Sequence, residues 1–219
     1  MKVLNNDVLR ELSFDNHTAN EKIEDNTNDN LVETMISKFG ISKIRLINDL
    51  LDPNVLTYLN IGRYDKQKGH DRLINAFEKY NIEFPNSRLI IIAPYGPIKK
   101  QTIQLVKNSP SKKNIYLFGR MNNPYALLKM VDAFVLSSYY EGLGLVVYEA
   151  LALDKQVITV DIDTTMKYLK DNEVISVENT EIGLYNGLIA FHKGLRTMNK
   201  FNFDKYKERT TREFESLFD

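Results

Sequence analysis

The stretch Phe134–Asp161, FVLSSYYEGLGLVVYEALALDKQVITVD, decides the fold. It opens on a short apolar run, FVL, and turns through a polar elbow, SSYYEGLG. A helical pattern, LVVYEALAL, follows, and a second apolar run, QVITV, closes it. Strand, loop, helix, strand is the unit that builds a parallel sheet. Two acids lie within it, Glu141 in the elbow and Glu149 along the helix. Eight residues at about 100° each leave them roughly 80° out of line after two turns. Both are still expected to look toward the carboxyl edge of the sheet, where open α/β sheets take their ligands. Gly142 and Gly144 flank Leu143, and Leu145 opens the helix. That pattern lets backbone approach a ligand closely and presents N–H groups at a helix start.

Outward from this unit the same rhythm recurs. Upstream, VLTYLNIG from Val55 reads as a buried strand, followed by the polar turn GRYDKQKGH. Asp71–Tyr80 is an amphipathic helix with Leu73, Ile74 and Phe77 inward. Strands are then expected at Arg88–Ala93, Asn114–Phe118, Ala133–Leu136 and Gln156–Val160, with a marginal sixth, VISV, near residue 175. Helices are expected at Lys99–Val106, over YALLKM after the turn GRMNNP, around Ile182–Lys193, and as a polar closing segment from Phe203 to Phe218. Strands alternating with helices in this way predict a doubly wound, Rossmann-like α/β domain with a parallel sheet covered on both faces.

The beginning of the chain differs in texture. Residues 15–29 carry Asn, Asp, Glu and Thr with almost no large apolar side chain, and read as a flexible loop. From Asn30 to Leu51 apolar residues return at helical spacing, and Gly40 divides them into two short helices before Pro53. The expected organisation is an N-terminal extension over 1–52, a Rossmann-like domain over 53–200, and a closing helix over 201–219.

Composition narrows the function. The 219 residues carry 29 Lys+Arg and 29 Asp+Glu, so no bulk field favours nucleic acid or an anionic membrane. Anion binding must therefore come from a local site. The absence of Cys excludes disulfides and thiolate metal sites and suits a cytoplasmic setting. The acids in MKVLNNDVLRELSFDN come too early for a leader peptide, and no apolar run reaches the ~18 residues that span a bilayer.

Chemistry is concentrated in two loops. In Asn60-Ile-Gly62-Arg63-Tyr-Asp-Lys-Gln-Lys68-Gly69-His70 a strand ends at a glycine, and two strong cations follow on a loop that runs into a helix. A diphosphate needs that combination of Arg, Lys and helix N-terminus. The bland alternative is a solvated basic turn. In the elbow, Glu141 is placed to accept hydrogen bonds from sugar hydroxyls, or else is an exposed acid favoured by the helix dipole. Glu149, among Val146, Val147, Ala150 and Leu151, is a pocket-edge acid or part of a solvated face. His17, His70 and His192 lack ligand spacing, and Ser137 and Ser138 lack the G-x-S-x-G context of a nucleophile.

Taken together, NIGR-x4-KGHDRLINAF and FGRMNNPYALLKMVDAFVLSSYYEGLGLVVYEALA resemble the group 1 (family 4) retaining glycosyltransferases of the GT-B fold. The resemblance spans Asn60 to Asp161, and more weakly to about residue 195. It implies that Arg63 and Lys68, following Gly62, hold the diphosphate of a nucleotide-sugar donor. It implies that Glu141 faces the donor sugar and Glu149 the ribose, the pair matching the family's Glu-x7-Glu. Amides around Gly142, Leu143, Gly144 and Leu145 would contact sugar and phosphate. The turn Gly119-Arg120-Met121 would lie against the nucleobase through its backbone.

The wording GHDRLINAF and FVLSSYYEGLGLVVYEAL is similar to enzymes that build or decorate bacterial wall polymers such as teichoic acids. Two departures stand out. DIDTTMKYL replaces the family's Gly-Gly-x-Pro-Glu after the last core strand, and the first ~50 residues are too few for a second Rossmann-like domain.

The resemblance thus predicts the donor half of a glycosyltransferase that needs an acceptor domain or partner subunit. No obligatory metal or other cofactor, no nucleic acid and no direct membrane insertion are expected. The protein would be cytoplasmic, reaching the inner face of the membrane through partners. The rivals are a phosphotransferase acting on a cytidine-diphosphate-activated alcohol and a nucleotide-binding module without catalysis.

Overall fold

The computed structural model describes residues 43–167, 169, 173–198 and 201–216. The loop expected over 15–29 and the first of the two short helices lie outside them. The described chain starts on a helix, α1, over 43–51. Six strands follow: β1 (Leu56–Ile61), β2 (Ser87–Ile92), β3 (Ile115–Phe118), β4 (Ala133–Leu136), β5 (Gln156–Val160) and β6 (Ile175–Val177). Between and after them run α2 (His70–Glu83), α3 (Lys99–Asn108), α4 (Pro124–Met130), α5 (Leu145–Ala152), α6 (Asp163–Met166), α7 (Glu181–His192) and α8 (Phe203–Glu215).

The strands form one sheet in the order β3-β2-β1-β4-β5-β6, every pairing parallel. Continuous apolar runs make the middle of it: all six residues of β2 and all four of β4 are buried, as strands covered on both faces require. Leu73, Ile74 and Phe77 of α2 are fully buried, the inward stripe that the spacing predicts, and Tyr80 is buried with them. The chain therefore folds as a doubly wound α/β domain. The sixth strand, marginal in sequence, is real but short: its Ser176 is exposed and it pairs only with β5.

Helix α1 shares the domain's core. Leu46, Ile47 and Leu50 are buried in it, and Asp49 makes a two-pronged ion pair with Arg88 of β2 at 2.6 and 3.1 Å. The described part of the 1–52 extension is thus packed on the sheet rather than hanging off it. A second polar chain crosses the core. The Tyr58 hydroxyl donates to that of Tyr80 at 3.0 Å, and Tyr80 lies 2.8 Å from Nδ1 of His192. Among the described residues no helix is long and apolar enough to cross a membrane.

The strand order reverses at one place. From β1 the chain winds outward through β2 and β3, then crosses back to lay β4 on the other side of β1. The loops leaving β1 and β4 consequently diverge at the carboxyl edge, which opens a crevice there. The loop after β1 holds Gly62 to Gly69, and the loop after β4 holds Ser137 to Gly144.

Candidate functional site

These two loops are stitched to each other. Beneath them, the buried Asn60 donates from Nδ2 to the Val135 carbonyl at 2.8 Å, so the ends of β1 and β4 are held at a fixed separation. The Tyr139 amide donates to the Gln67 carbonyl at 2.8 Å, and Gln67 Nε2 returns a bond to the Tyr140 carbonyl at 2.9 Å. Ser137 Oγ donates to the Lys68 carbonyl at 2.8 Å. Gly69 makes this approach possible. Its φ is 60°, and a Cβ there would sit 2.2 Å from the Ser137 carbonyl oxygen, so both conformation and space demand glycine.

Across this seam stands the central pair. Lys68 Nζ donates to Glu141 Oε1 at 2.7 Å, with side chains only 18% and 7% exposed. Ser138 Oγ, three residues before Glu141, donates to the same oxygen at 2.5 Å. Lys68 arrives there because Lys66–Lys68 is a single 3-10 turn, capped by the Asp65 side chain accepting from the Gln67 amide at 3.1 Å. Gly62 gives room for its stem: a Cβ at 62 would lie 3.1 Å from Lys68 Cγ. An ammonium carries three donors, so the contact with Glu141 leaves capacity for an anion. Arg63, two residues past β1, is exposed.

The elbow itself is braced from behind. Gly144 caps α5 at φ 60° and packs on Thr165, where a Cβ would come within 2.5 Å of Oγ1. Gly142 faces open space, since nothing would lie within 4 Å of a Cβ there. Leu143 and Leu145 are exposed beside it. The divergent segment after β5 supports the elbow: Thr164 Oγ1 donates to the Glu141 carbonyl at 2.7 Å, and Tyr148 donates to the Thr165 carbonyl at 2.6 Å. Residues standing where the resemblance supplies no match therefore carry the elbow from α6.

Glu149 lies part-buried on α5. Burial first, and then the charge of Glu149, raise the pKa of the Tyr125 phenol at the start of α4. In the region following β3, Arg120 is exposed and Met121 half-buried against the core.

His70 does not join the site. It is fully buried, edge-on to Tyr64 with ring centroids 5.7 Å apart, and neither ring nitrogen has a hydrogen-bond partner among the described residues. Burial holds its pKa down at about 4. Sequence reading passed over Gln67, Arg72, Thr164, Tyr125 and Asn179, and weighed Ser138 only as a nucleophile. Only Ser138, one helical-turn spacing before Glu141, carried a local signal. Among the described residues no cluster of His, Asp or Glu is suited to holding a metal ion.

Comparison with known proteins bears on this arrangement. An uncharacterised glycosyltransferase of Methanocaldococcus jannaschii is 39% identical over 107 residues, covering 49% of this chain and 26% of that protein. The poly(glycerol-phosphate) alpha-glucosyltransferase of Bacillus subtilis is 27% identical over 175 residues, covering 74% of this chain and 25% of that protein. The chain thus spans about a quarter of the length of these relatives. Among solved structures, the C-terminal domain of a glycosyl transferase group 1 protein from Francisella tularensis superposes with a TM-score of 0.58 at 23% identity. That match covers 67% of this chain and 81% of the other. The family model for glycosyl transferases group 1 matches residues 47–200, which include the whole sheet and both loops of the crevice. The chain belongs to the group 1 glycosyl transferases.

Proposed function

We propose that this chain is the donor-nucleotide half of a GT-B glycosyltransferase, moving a sugar from a nucleoside-diphosphate donor to an acceptor hydroxyl with retention. The observation that carries the reading is the meeting of Lys68 and Glu141 at 2.7 Å in the crevice between β1 and β4. Residues 73 positions apart converge where this sheet topology binds ligands.

In this reading Arg63 and Lys68 hold the diphosphate, with the amides of Gly142 to Leu145 at the start of α5 beside them. Glu141 orients the donor sugar, and Glu149 receives the ribose. The backbone of Gly119–Met121 meets the base. As the sugar–phosphate bond breaks, negative charge grows on the diphosphate. Lys68, Arg63 and the helix N-terminus stabilise that charge without reorganising. No metal is required for this role. The span of about a quarter of its relatives supports an acceptor domain supplied elsewhere. Likeness to the Bacillus subtilis poly(glycerol-phosphate) enzyme supports a wall-polymer acceptor, reached at the inner face of the membrane through partners.

The test is a thermal-shift panel of nucleoside diphosphates, their sugar conjugates and a cytidine-diphosphate alcohol. One nucleoside diphosphate and its sugar conjugate are expected to raise Tm. Stabilisation by the cytidine-diphosphate alcohol alone, or by nothing in the panel, contradicts the proposal.

A further inference from the structure

Arg72 is the most heavily engaged side chain around the crevice, and nothing in the site as described uses it. It sits on the first turn of α2, four residues after Lys68, and only 5% of its surface is exposed. Its Nε donates to the Ser137 carbonyl at 2.8 Å and its Nη2 to the Ser138 carbonyl at 2.7 Å. The far side of the fork reaches Asn179, with Nη2 on Oδ1 at 2.7 Å and Nη1 on the carbonyl at 3.1 Å. Its guanidinium carbon also lies 4.0 Å from the centroid of the Tyr139 ring. Asn179 completes the loop by donating from Nδ2 to the Tyr139 carbonyl at 3.0 Å.

The targets are telling. Ser137 Oγ anchors the Lys68 carbonyl, and Ser138 Oγ holds Glu141. Arg72 binds the two carbonyls of those same residues. The one guanidinium therefore fixes the backbone from which both halves of the Lys68–Glu141 pair are held, and ties it to the segment between β6 and α7. Burial lowers its pKa from the ordinary arginine value. A cation is kept here at some desolvation cost, and its planar fork matches two adjacent carbonyls in a way that a lysine cannot.

We propose that Arg72 is a positioning residue: with Asn179, it sets the elbow so that Lys68 and Glu141 meet in donor-binding geometry. This rests on the donor-binding reading above. The experiment uses the full chain with Arg72→Lys, Arg72→Met and Asn179→Ala. The first readout is a double-mutant cycle between Lys68→Met and Glu141→Gln, measured by urea denaturation in each background. The second is calorimetric affinity for the nucleoside diphosphate that the wild-type chain binds.

In Arg72→Lys we expect a folded protein in which the Lys68–Glu141 coupling falls by half or more, and nucleotide affinity drops about tenfold, as misplaced binding groups do. Asn179→Ala removes only part of the clamp, so it gives a smaller loss of both and serves if Arg72→Met does not fold. Unchanged coupling in folded Arg72→Lys and Asn179→Ala overturns the inference, whether or not nucleotide binds. If the wild type binds no nucleoside diphosphate, the functional reading falls, and the cycle still decides the role of Arg72.

Discussion

Removing the Lys68–Glu141 contact is expected to cost far more than a surface ion pair. At 2.7 Å, and with the effective dielectric of about 20 that suits protein sites, the bare attraction is about 6 kcal/mol. Desolvation of two ends that are 18% and 7% exposed offsets much of it. The coupling left should be about 2 kcal/mol, above the ~0.2–1 kcal/mol of exposed pairs. The two single variants should not be equal. Lys68→Met strands a carboxylate that is nearly closed off from water, still held by Ser138. Glu141→Gln leaves an ammonium whose flexible stem can turn toward solvent. We therefore expect Lys68→Met to lose about 2–3 kcal/mol and Glu141→Gln about 1 kcal/mol, with the double variant short of their sum by the coupling, at about 1–2 kcal/mol. Urea unfolding of the four proteins gives the cycle directly. A coupling under about 0.5 kcal/mol would show that the pair is a surface contact and would refute the picture of a pre-assembled site.

Three other outcomes follow from particular residues. Gly69→Ala should destabilise by about 2 kcal/mol or more, through a left-handed φ of 60° and a 2.2 Å clash with the Ser137 carbonyl, whereas Gly142→Ala should stay within about 0.5 kcal/mol in thermal unfolding. Tyr80→Phe leaves the buried Tyr58 hydroxyl without its acceptor and should cost about 1–3 kcal/mol by chemical denaturation. His70, held near pKa 4 against an ordinary 6.5, stays neutral in the folded chain while the unfolded chain protonates. Its contribution is complete above pH 6.5 and is lost as pH falls from there toward 4. That amounts to about 3 kcal/mol, and in His70→Leu this part of the pH dependence should vanish.

The sheet was legible because parallel strands buried on both faces must be apolar end to end, and RLIII and FVL have no other reading. The elbow was legible from its glycines and its place between strand and helix. Lys68 and Glu141 could be chosen one at a time, from charge and spacing, but their contact depends on a crossing of the sheet that no local pattern encodes. Arg72 was illegible for the same reason. On an amphipathic helix an arginine ordinarily faces water, and only the arrival of Ser137, Ser138 and Asn179, the last 107 residues further on, makes it a buried clamp. Glu149 was read as facing a ligand, and its electrostatic effect on Tyr125 of the neighbouring helix is a tertiary relation that no local pattern encodes. His70, beside Lys68-Gly69, is buried by the turn into α2 against Tyr64, which its place in a polar loop sequence does not reveal.

The central claim is that the crevice between β1 and β4 binds a nucleoside diphosphate through Lys68 and Arg63. Calorimetric titration of the nucleoside diphosphate selected by the thermal-shift panel into wild type, Arg63→Ala and Lys68→Ala tests it most directly. Loss of one charge-assisted contact to phosphate should weaken binding by about tenfold or more in each variant. Equal affinity in all three proteins would contradict the account.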